Sequence, residues 1–183
     1  MKYEEHRLGD LVKFTTGKLL PRITDTIDEI PSRRMIYNPL AETTKYIHGD
    51  SDLPVITSEQ VGISMLQREA YLVEDYPQVD EQVLTANFTA VTFNSQLDRG
   101  YFVWWFNHSI EAQRQLKASG QLGRRVVASD LRKVTISVPD LLLQKDIGCL
   151  YAIGQKQALT LKEKADLMEE HTLQFISQKM MKE

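Results

Sequence analysis

The segment LRKVTISVPDLLLQKDI, residues 131–147, decides the fold because a strand gives way there to a long helix. It contains VTISV (134–138), a run rich in β-branched residues that predicts a strand. Pro139 cannot continue a central strand, and Asp140 is of a residue type that caps helices. Because no proline follows Pro139, the sequence predicts one long helix after this point.

The second part of the chain, residues 139–183, carries small or apolar residues in alternating steps of four and three, the heptad rhythm of a coiled coil. This seam comprises Ile147, Tyr151, Gly154, Ala158, Leu161, Ala165, Met168, Thr172 and Phe175. A helix of about 40 residues is roughly 60 Å long, more than a domain of about 140 residues can cover. We therefore expect a second helix from another chain on the seam, brought close by its small residues. The alternative is packing on the chain's own domain.

The first part, residues 1–138, is mixed. PVIT (54–57), AYLV (70–73) and FTAVTF (88–93) are short runs that predict strands, and 101–116 has the apolar spacing of a helix. Residues 24–52 show little periodicity and predict a long loop of the kind that often carries recognition. The fold class is therefore α+β: a mixed α/β domain with a small, mostly antiparallel sheet, followed by one long coiled-coil helix.

The composition excludes several classes of protein. The chain has 183 residues, of which 42% are hydrophobic, and Cys149 is its one cysteine, so no internal disulfide or cysteine-rich zinc site is expected. No apolar run approaches the roughly 20 residues of a membrane helix. The start, MKYEEHRLGD, lacks the apolar core of a secretory signal. We expect a cytoplasmic protein without a membrane partner.

The formal net charge is −3, but the charged residues are unevenly distributed along the sequence. Residues 99–133 contain 7 basic and 2 acidic residues, so 7 − 2 gives +5. Residues 42–81 contain 2 basic and 9 acidic residues, so 2 − 9 gives −7. The basic stretch could face phosphate while the acidic stretch faces away, although both could equally be solvated surface.

No constellation of residues points to an enzyme, so no catalytic residue, metal or cofactor is predicted. The histidines, His6, His48, His108 and His171, show no metal-ligand spacing. Gly17-Lys18 lacks the earlier glycine of a phosphate-binding loop. An unrecognised small enzyme is kept only as a third hypothesis.

Four stretches together resemble a known family, the specificity subunits of type I restriction–modification systems. They are LGDLVKFTTGK (8–18), LPVITSEQVG (53–62), the aromatic helix region 100–120, and the strand, proline and Gln-x-x-Ile helix start of 131–147. The resemblance implies a target-recognition domain at 1–138 and a helix for dimerisation and assembly at 139–183. It also implies a non-catalytic role in recognising double-stranded DNA.

A full member of that family has two recognition domains, each followed by a long helix, so this chain resembles a half-subunit. The family's helices pair antiparallel, methyltransferase subunits dock on the assembly and methylate adenine, and a restriction and translocase subunit joins for cleavage. The resemblance therefore implies a homodimer that reads an inverted-repeat target. The runner-up hypothesis is a protein-interaction adaptor or decoy that pairs with a longer specificity subunit and modulates its target choice.

Candidate DNA-binding residues follow from the chemistry of recognition. Arg or Lys reads guanine, Asn or Gln reads adenine, and bases or hydroxyls anchor phosphate. The candidates lie in the early loop region and after the glycines near 120: Lys18, Arg22, Arg33, Arg34, Tyr37, Tyr46, Arg124 and Arg125. Trp104, Trp105 and Phe106 are expected to pack in the core.

Overall fold

The computed structural model describes residues 3–19, 33–41, 43–47, 52–119 and 127–180. In chain order the described elements are β1 (Glu4–Arg7), α1 (Leu8–Leu11), β2 (Val12–Thr16), β3 (Arg34–Ile36), β4 (Val55–Ile56), β5 (Val61–Ser64), β6 (Glu69–Leu72), β7 (Glu81–Val83), β8 (Phe88–Phe93), α2 (Arg99–His108), α3 (Ile110–Ser119), α4 (Ala128–Leu131), β9 (Thr135–Val138) and α5 (Leu141–Met180). The predicted α+β class, with small and mostly antiparallel sheets before one long helix, is confirmed.

The strands of the described residues form three small sheets. β1 pairs antiparallel with β9, which brings the first described strand beside the last one. β2, β8, β5 and β6 form an antiparallel sheet in that order. β3, β7 and β4 form the third sheet, in which β3 runs parallel to β7. This parallel pair is the exception to the antiparallel pattern.

An aromatic core forms around α2. Phe102, Trp105 and Phe106 are almost completely buried, and the ring of Phe102 lies 5.2 Å from that of Phe93 on β8. Trp105 and Phe106 therefore pack in the core, as predicted from the sequence. Asp98 caps α2 by accepting a hydrogen bond from the Tyr101 backbone N–H at 2.9 Å.

The region predicted as one helix over 101–116 is two helices, α2 and α3. Ser109 separates them with an extended backbone, at φ −71° and ψ 139°. Its hydroxyl accepts a hydrogen bond from the Ala112 backbone N–H at 3.0 Å. Serine competes with helical hydrogen bonding and is favoured at N-caps, so it ends one helix and begins the next.

The chain divides into two compact units, Met1–Gly148 and Cys149–Glu183. The first unit therefore includes the first turns of α5 and extends beyond the domain boundary predicted after Val138. Gln144 anchors these turns: its Oε1 accepts from the Asp98 backbone N–H at 2.7 Å. Its Nε2 donates to the carbonyl oxygens of Gln96 at 3.0 Å and Pro139 at 2.9 Å.

Two glycines allow α5 to approach α2 closely within the first unit. A Cβ placed on Gly148 would lie 2.9 Å from the carbonyl carbon of Gly100, too close for any side chain. Asp140 caps α5, since its Oδ1 accepts from the Leu143 backbone N–H at 3.0 Å, as predicted. The start of the long helix is thus fixed by a cap, a buried amide and a glycine contact.

The second unit is helical through Met180 in its described part. Its side chains are exposed apart from the half-buried Tyr151. Within the described portion of the chain, no helix combines the length with the apolar character of a membrane span.

Candidate nucleic-acid interface

Lys18 lies just beyond the end of β2. A Cβ at Gly17 would overlap the carbonyl oxygen of Thr85, so only glycine lets the two backbones come so close. The contact places Lys18 in a parallel bridge with Thr85. The Lys18 Nζ donates to the backbone oxygen of Asp52 at 2.9 Å and lies 3.4 Å from its Oδ2. Lys18 is therefore exposed but already next to a carboxylate.

Arg34 begins β3 and Arg33 directly precedes that strand; they face acidic residues at the start of β7 and directly before it. The strand register sets Arg34 opposite Glu81, and the Arg34 Nε donates to the Glu81 Oε2 at 2.8 Å. The Arg33 Nη1 lies 3.3 Å from the Asp80 Oδ1. Both pairs follow from the parallel β3–β7 pairing, which the sequence did not predict.

Lys18 and the two arginines do not converge on one point. Lys18 adjoins Thr85, whereas Arg34 adjoins Glu81, four residues earlier on the same stretch of chain. At about 3.3 Å per residue of strand, these positions are roughly 13 Å apart. That separation is comparable to the width of a DNA major groove, about 12 Å.

Tyr37 is a core residue and does not belong to an interface. It is 3% exposed, and its ring makes an edge-to-face contact with Phe88 at 5.2 Å between centroids. Gly62 makes room for it, since a Cβ there would overlap the tyrosine ring. Burial raises the pKa of the Tyr37 hydroxyl above its ordinary value. We therefore leave Tyr37 out of the proposed interface.

The other candidates stay predictions. Tyr46 is half-buried and forms a bridge with Met35 of β3. Arg22, Arg124 and Arg125 lie outside the described residues. Within the early loop region, the structure describes residues 33–41, 43–47 and 52, which include β3 and its bridge to Tyr46.

An exposed hairpin tip was missed by the sequence analysis. β5 and β6 pair antiparallel and are joined through Met65, Leu66, Gln67 and Arg68. Leu66 is 75% exposed, and Arg68 has a φ of 61°. The available signal was the four-residue segment 65–68 between two β-rich runs, but half of this segment is apolar and it lacks the glycine that usually marks a hairpin.

A groove of about 380 Å³ lies beside β4 and the start of β7. Its lining includes Val55, Tyr76 and three carboxylates, Asp75, Asp80 and Glu81. Among the described residues, no group of three or more His, Cys, Asp or Glu side chains is placed to hold a metal ion. Since Asp80 and Glu81 face arginines, the groove offers no arrangement that we can assign to catalysis.

The seam residues of α5 that lie in the second unit are largely exposed. Leu161, Met168 and Phe175 are 67%, 63% and 57% exposed. A Cβ on Gly154 would meet no atom within 4 Å. Taken by itself, the second unit therefore has an apolar helix face that is exposed.

Comparison with known proteins shows the fold. No family model matches the sequence, and no curated protein matches it significantly. Three similar solved structures are the HsdS subunit from Thermoanaerobacter tengcongensis, a structure on complex assembly and conformational transition of the type I R-M system, and the type I restriction-modification S subunit from M. genitalium.

The likeness covers most of this chain but less than half of the other proteins. The first two are each 18% identical to it at a TM-score of 0.62 over 88% of this chain. The third is 13% identical at a TM-score of 0.55 over 91%. The chain spans 39%, 40% and 42% of the respective lengths of those chains. The chain therefore has the fold of about two fifths of a type I specificity subunit.

Proposed function

We propose that this chain is a non-catalytic subunit that recognises a specific sequence in double-stranded DNA for a type I restriction–modification complex. The observation that carries the proposal is the fold likeness to specificity subunits over 88% of the chain. In this proposal residues 1–138 recognise DNA and residues 139–183 serve assembly. Catalysis belongs to partner methyltransferase and restriction/translocase subunits, in the cytoplasm and without a cofactor held by this chain.

Homodimerisation through α5 is the second part of the proposal. The seam presents exposed leucine, methionine and phenylalanine between small residues, and a second copy would supply a matching face. Because the chain spans about two fifths of a specificity subunit, two copies would provide two recognition domains and two helices. The symmetry of such a dimer requires an inverted-repeat target.

The methyltransferase would dock on other faces of the same helix. Ile153, Leu159 and Leu167 are 49%, 57% and 64% exposed and lie outside the seam. A helix that is apolar on more than one face requires more than one covering surface. A dimer partner and a methyltransferase subunit would together supply them.

The test combines the chain with its methyltransferase subunit and a library of randomised DNA duplexes. We expect the complex to enrich one inverted-repeat sequence and to methylate adenine within it. The methyltransferase alone is the control and should enrich nothing. A complex that retains no preferred sequence would contradict the proposal.

An adaptor or decoy is the second candidate function, and one observation favours it. All three described candidate cations, Lys18, Arg33 and Arg34, lie next to carboxylates within this chain. An adaptor would bind a longer specificity subunit through α5 and need no DNA contact. It would change the sequence at which a complex of that longer subunit and the methyltransferase methylates DNA, while this chain with the methyltransferase alone would select no DNA.

A further inference from the structure

A group of exposed basic side chains lies around the start of β9, on β1, on α3 and in the turn before β9. We call this group the basic patch; its members are Arg7, Arg114, Lys117, Arg132 and Lys133. In the part of the chain that the structure describes, none of the five side chains has an ion-pair or hydrogen-bond partner. Lys18, Arg33 and Arg34, by contrast, each lie next to a carboxylate.

The pairing of β1 with β9 brings Arg7 towards α3. Arg7 lies directly opposite Thr135 in the antiparallel register, so the two side chains share one face of the sheet, about 5 Å apart at their Cα atoms. α3 packs on that face, because the Gln115 amide donates to the Thr135 carbonyl oxygen and accepts from the Thr135 backbone N–H, each at 2.8 Å. Arg114 directly precedes Gln115, and Lys117 neighbours Arg114 on the exposed surface of α3.

The turn before β9 adds the other two members of the basic patch. The Gly9 backbone N–H donates to the Arg132 carbonyl oxygen at 3.1 Å, and a Cβ on Gly9 would lie 3.1 Å from the Arg132 Cβ. Glycine therefore lets α1 lie tightly against this turn. Lys133 is two residues from Thr135, so the Cα atoms of Arg7 and Lys133 are at most about 13 Å apart. A surface of this width spans roughly four successive phosphates of one DNA strand.

The nearby carboxylates do not neutralise the basic patch. Glu111 on α3 is held within the chain, since its oxygens accept from the Trp105 Nε1 at 2.8 Å and from the Ser137 hydroxyl at 3.0 Å. Among the described residues, the other carboxylates on the adjoining stretches form no ion pair with the patch; they are Glu5, Asp10 and Asp130. Five cations beside these three carboxylates leave a positive excess, since 5 − 3 gives +2.

We propose that the basic patch binds the phosphate backbone of DNA and so positions the recognition domain on the duplex, while residues elsewhere read the bases. This inference rests on the proposed function and adds a phosphate-binding surface to it. Arginine and lysine are common partners of DNA phosphates, and such contacts fix register without carrying sequence information. The patch lies outside the acidic stretch 42–81, and four of its five members belong to the basic stretch 99–133.

Glutamine variants separate phosphate binding from base reading. In the complex of the full chain and the methyltransferase subunit, Arg114→Gln with Lys117→Gln should weaken binding to the enriched duplex roughly ten- to a hundredfold at about 0.1 M salt. Arg132→Gln with Lys133→Gln should act alike. Each double variant should weaken binding to a duplex of arbitrary sequence by the same factor and leave the enriched sequence unchanged.

The dependence of affinity on salt is the readout that identifies phosphate contacts. Each double variant should make the slope of log affinity against log salt concentration shallower by about 2, because one phosphate contact contributes about 0.9. Fluorescence anisotropy over a series of salt concentrations measures both affinity and slope. The substituted side chains are exposed, so thermal melting should show that the variants fold as the wild type does.

The matched control is Lys156→Gln with Lys164→Gln, which removes two charges from exposed positions of α5 outside the seam. It should change neither the affinity nor the slope, and an equal effect of the control would mean that only net charge matters. If both patch variants keep the wild-type affinity and slope, the patch does not contact DNA. If they instead detach the methyltransferase subunit in sedimentation, the patch binds protein and the proposal is wrong.

The duplex of arbitrary sequence keeps this inference distinguishable from the proposed function. A wild-type complex that enriches no sequence would overturn the proposed function. The basic patch would still be supported if its variants lose affinity and slope on the arbitrary duplex, and it would be overturned if they do not.

Discussion

Gln144 is the residue on which the start of the long helix depends. It is 1% exposed, yet its amide makes three hydrogen bonds to backbone groups of Asp98, Gln96 and Pro139. Buried polar groups stabilise a fold only when all their bonds are made. One side chain therefore joins the N-cap of α2, the residues before it and the first turn of α5.

Gln144→Ala should lower the free energy of unfolding by about 2–3 kcal/mol, because the Asp98 N–H and two carbonyls lose their buried partner. Urea denaturation at fixed protein concentration measures the change. Gln174→Ala is the control, because Gln174 bonds only an exposed glutamate, Glu170, among the hydrogen bonds described for it. It should cost less than about 0.5 kcal/mol. Equal effects of the two substitutions would show that the Gln144 amide is not the anchor.

The carboxylates facing Arg33 and Arg34 should compete with DNA phosphates. Asp80→Asn with Glu81→Gln leaves both guanidinium groups without these partners. The Arg33–Asp80 pair is exposed, and such pairs contribute up to about 1 kcal/mol, whereas the Arg34 side chain is only 20% exposed, so affinity for DNA should rise roughly two- to fivefold, mainly through Arg33. Fluorescence anisotropy at fixed salt measures it. The control, Glu5→Gln with Asp10→Asn, changes the net charge by the same amount at exposed positions elsewhere. If the control raises the affinity for DNA equally, the gain is due to net charge and not to the two arginines.

Removing Arg33 and Arg34 themselves, rather than their acidic partners, is a second test of the same site. Arg33→Ala with Arg34→Ala should weaken binding of the assembled complex to its target at least roughly tenfold, since each base contact is worth about 1–3 kcal/mol. Unchanged binding at fixed salt would mean that these residues serve only the β3–β7 pairing.

Elements set by local patterns were predictable, and those set by tertiary contacts were not. FTAVTF matches β8 residue for residue, and α5 follows its proline-free heptads. The break at Ser109 depends on one hydroxyl accepting a backbone bond, which apolar spacing does not reveal. Likewise, Tyr37 lies in a stretch without periodicity, and its burial depends on Gly62, a distant glycine on β5.

Two glycines of α5 should respond in opposite ways to alanine. Gly148→Ala places a Cβ 2.9 Å from the Gly100 backbone and should cost about 1–3 kcal/mol of unfolding free energy. Gly154→Ala meets no atom of its own chain within 4 Å and should gain up to about 1 kcal/mol from helix propensity in the monomer. Thermal melting of both variants at a concentration at which the chain is monomeric compares them directly. In the proposed dimer Gly154 lies on the seam, so the same substitution should weaken dimerisation.

The seam also indicates how two copies of α5 would align. In one antiparallel register each large residue faces a small one: Phe175 faces Ala158, Met168 faces Ala165, and Leu161 faces Thr172. The same register sets Lys162 beside Glu169 of the second copy. The pairing of large with small side chains and the pairing of opposite charges therefore favour one register. A shift by one heptad would set Ala158 against Met168 and bring Lys162 of the two copies together.

Disulfide trapping distinguishes these registers. In a Cys149→Ser background, a mixture of Ala158→Cys and Phe175→Cys chains should cross-link on mild oxidation, since facing core positions meet the distance limits of a disulfide. A mixture of Ala158→Cys and Met168→Cys is the control for the shifted register and should cross-link poorly. Ala158→Cys chains that cross-link with themselves would indicate a parallel pair instead.

At the scale of the whole molecule, a net charge of −3 must be reconciled with binding to a polyanion. The proposed dimer resolves this by using few cations at defined positions rather than a broad basic surface. Fewer phosphate contacts give a shallower dependence of affinity on salt, because fewer counterions are released. Specificity must then depend on base contacts and on engagement of two half-sites at once.

Duplexes with one or two half-sites test whether specificity depends on engaging two half-sites at once. The wild-type complex should bind a duplex with both halves of its inverted repeat at least about a hundredfold more tightly than a duplex with one half, since the second contact is intramolecular. Leu161→Glu with Met168→Glu places charges on the seam and should abolish that advantage, yielding a monomer by sedimentation. Leu159→Glu with Leu167→Glu lies outside the seam and should leave the dimer intact while weakening methyltransferase docking. The wild-type chain could instead sediment as a monomer at micromolar concentration and still bind two half-sites with the full advantage. That result would show that the long helix does not join two recognition domains.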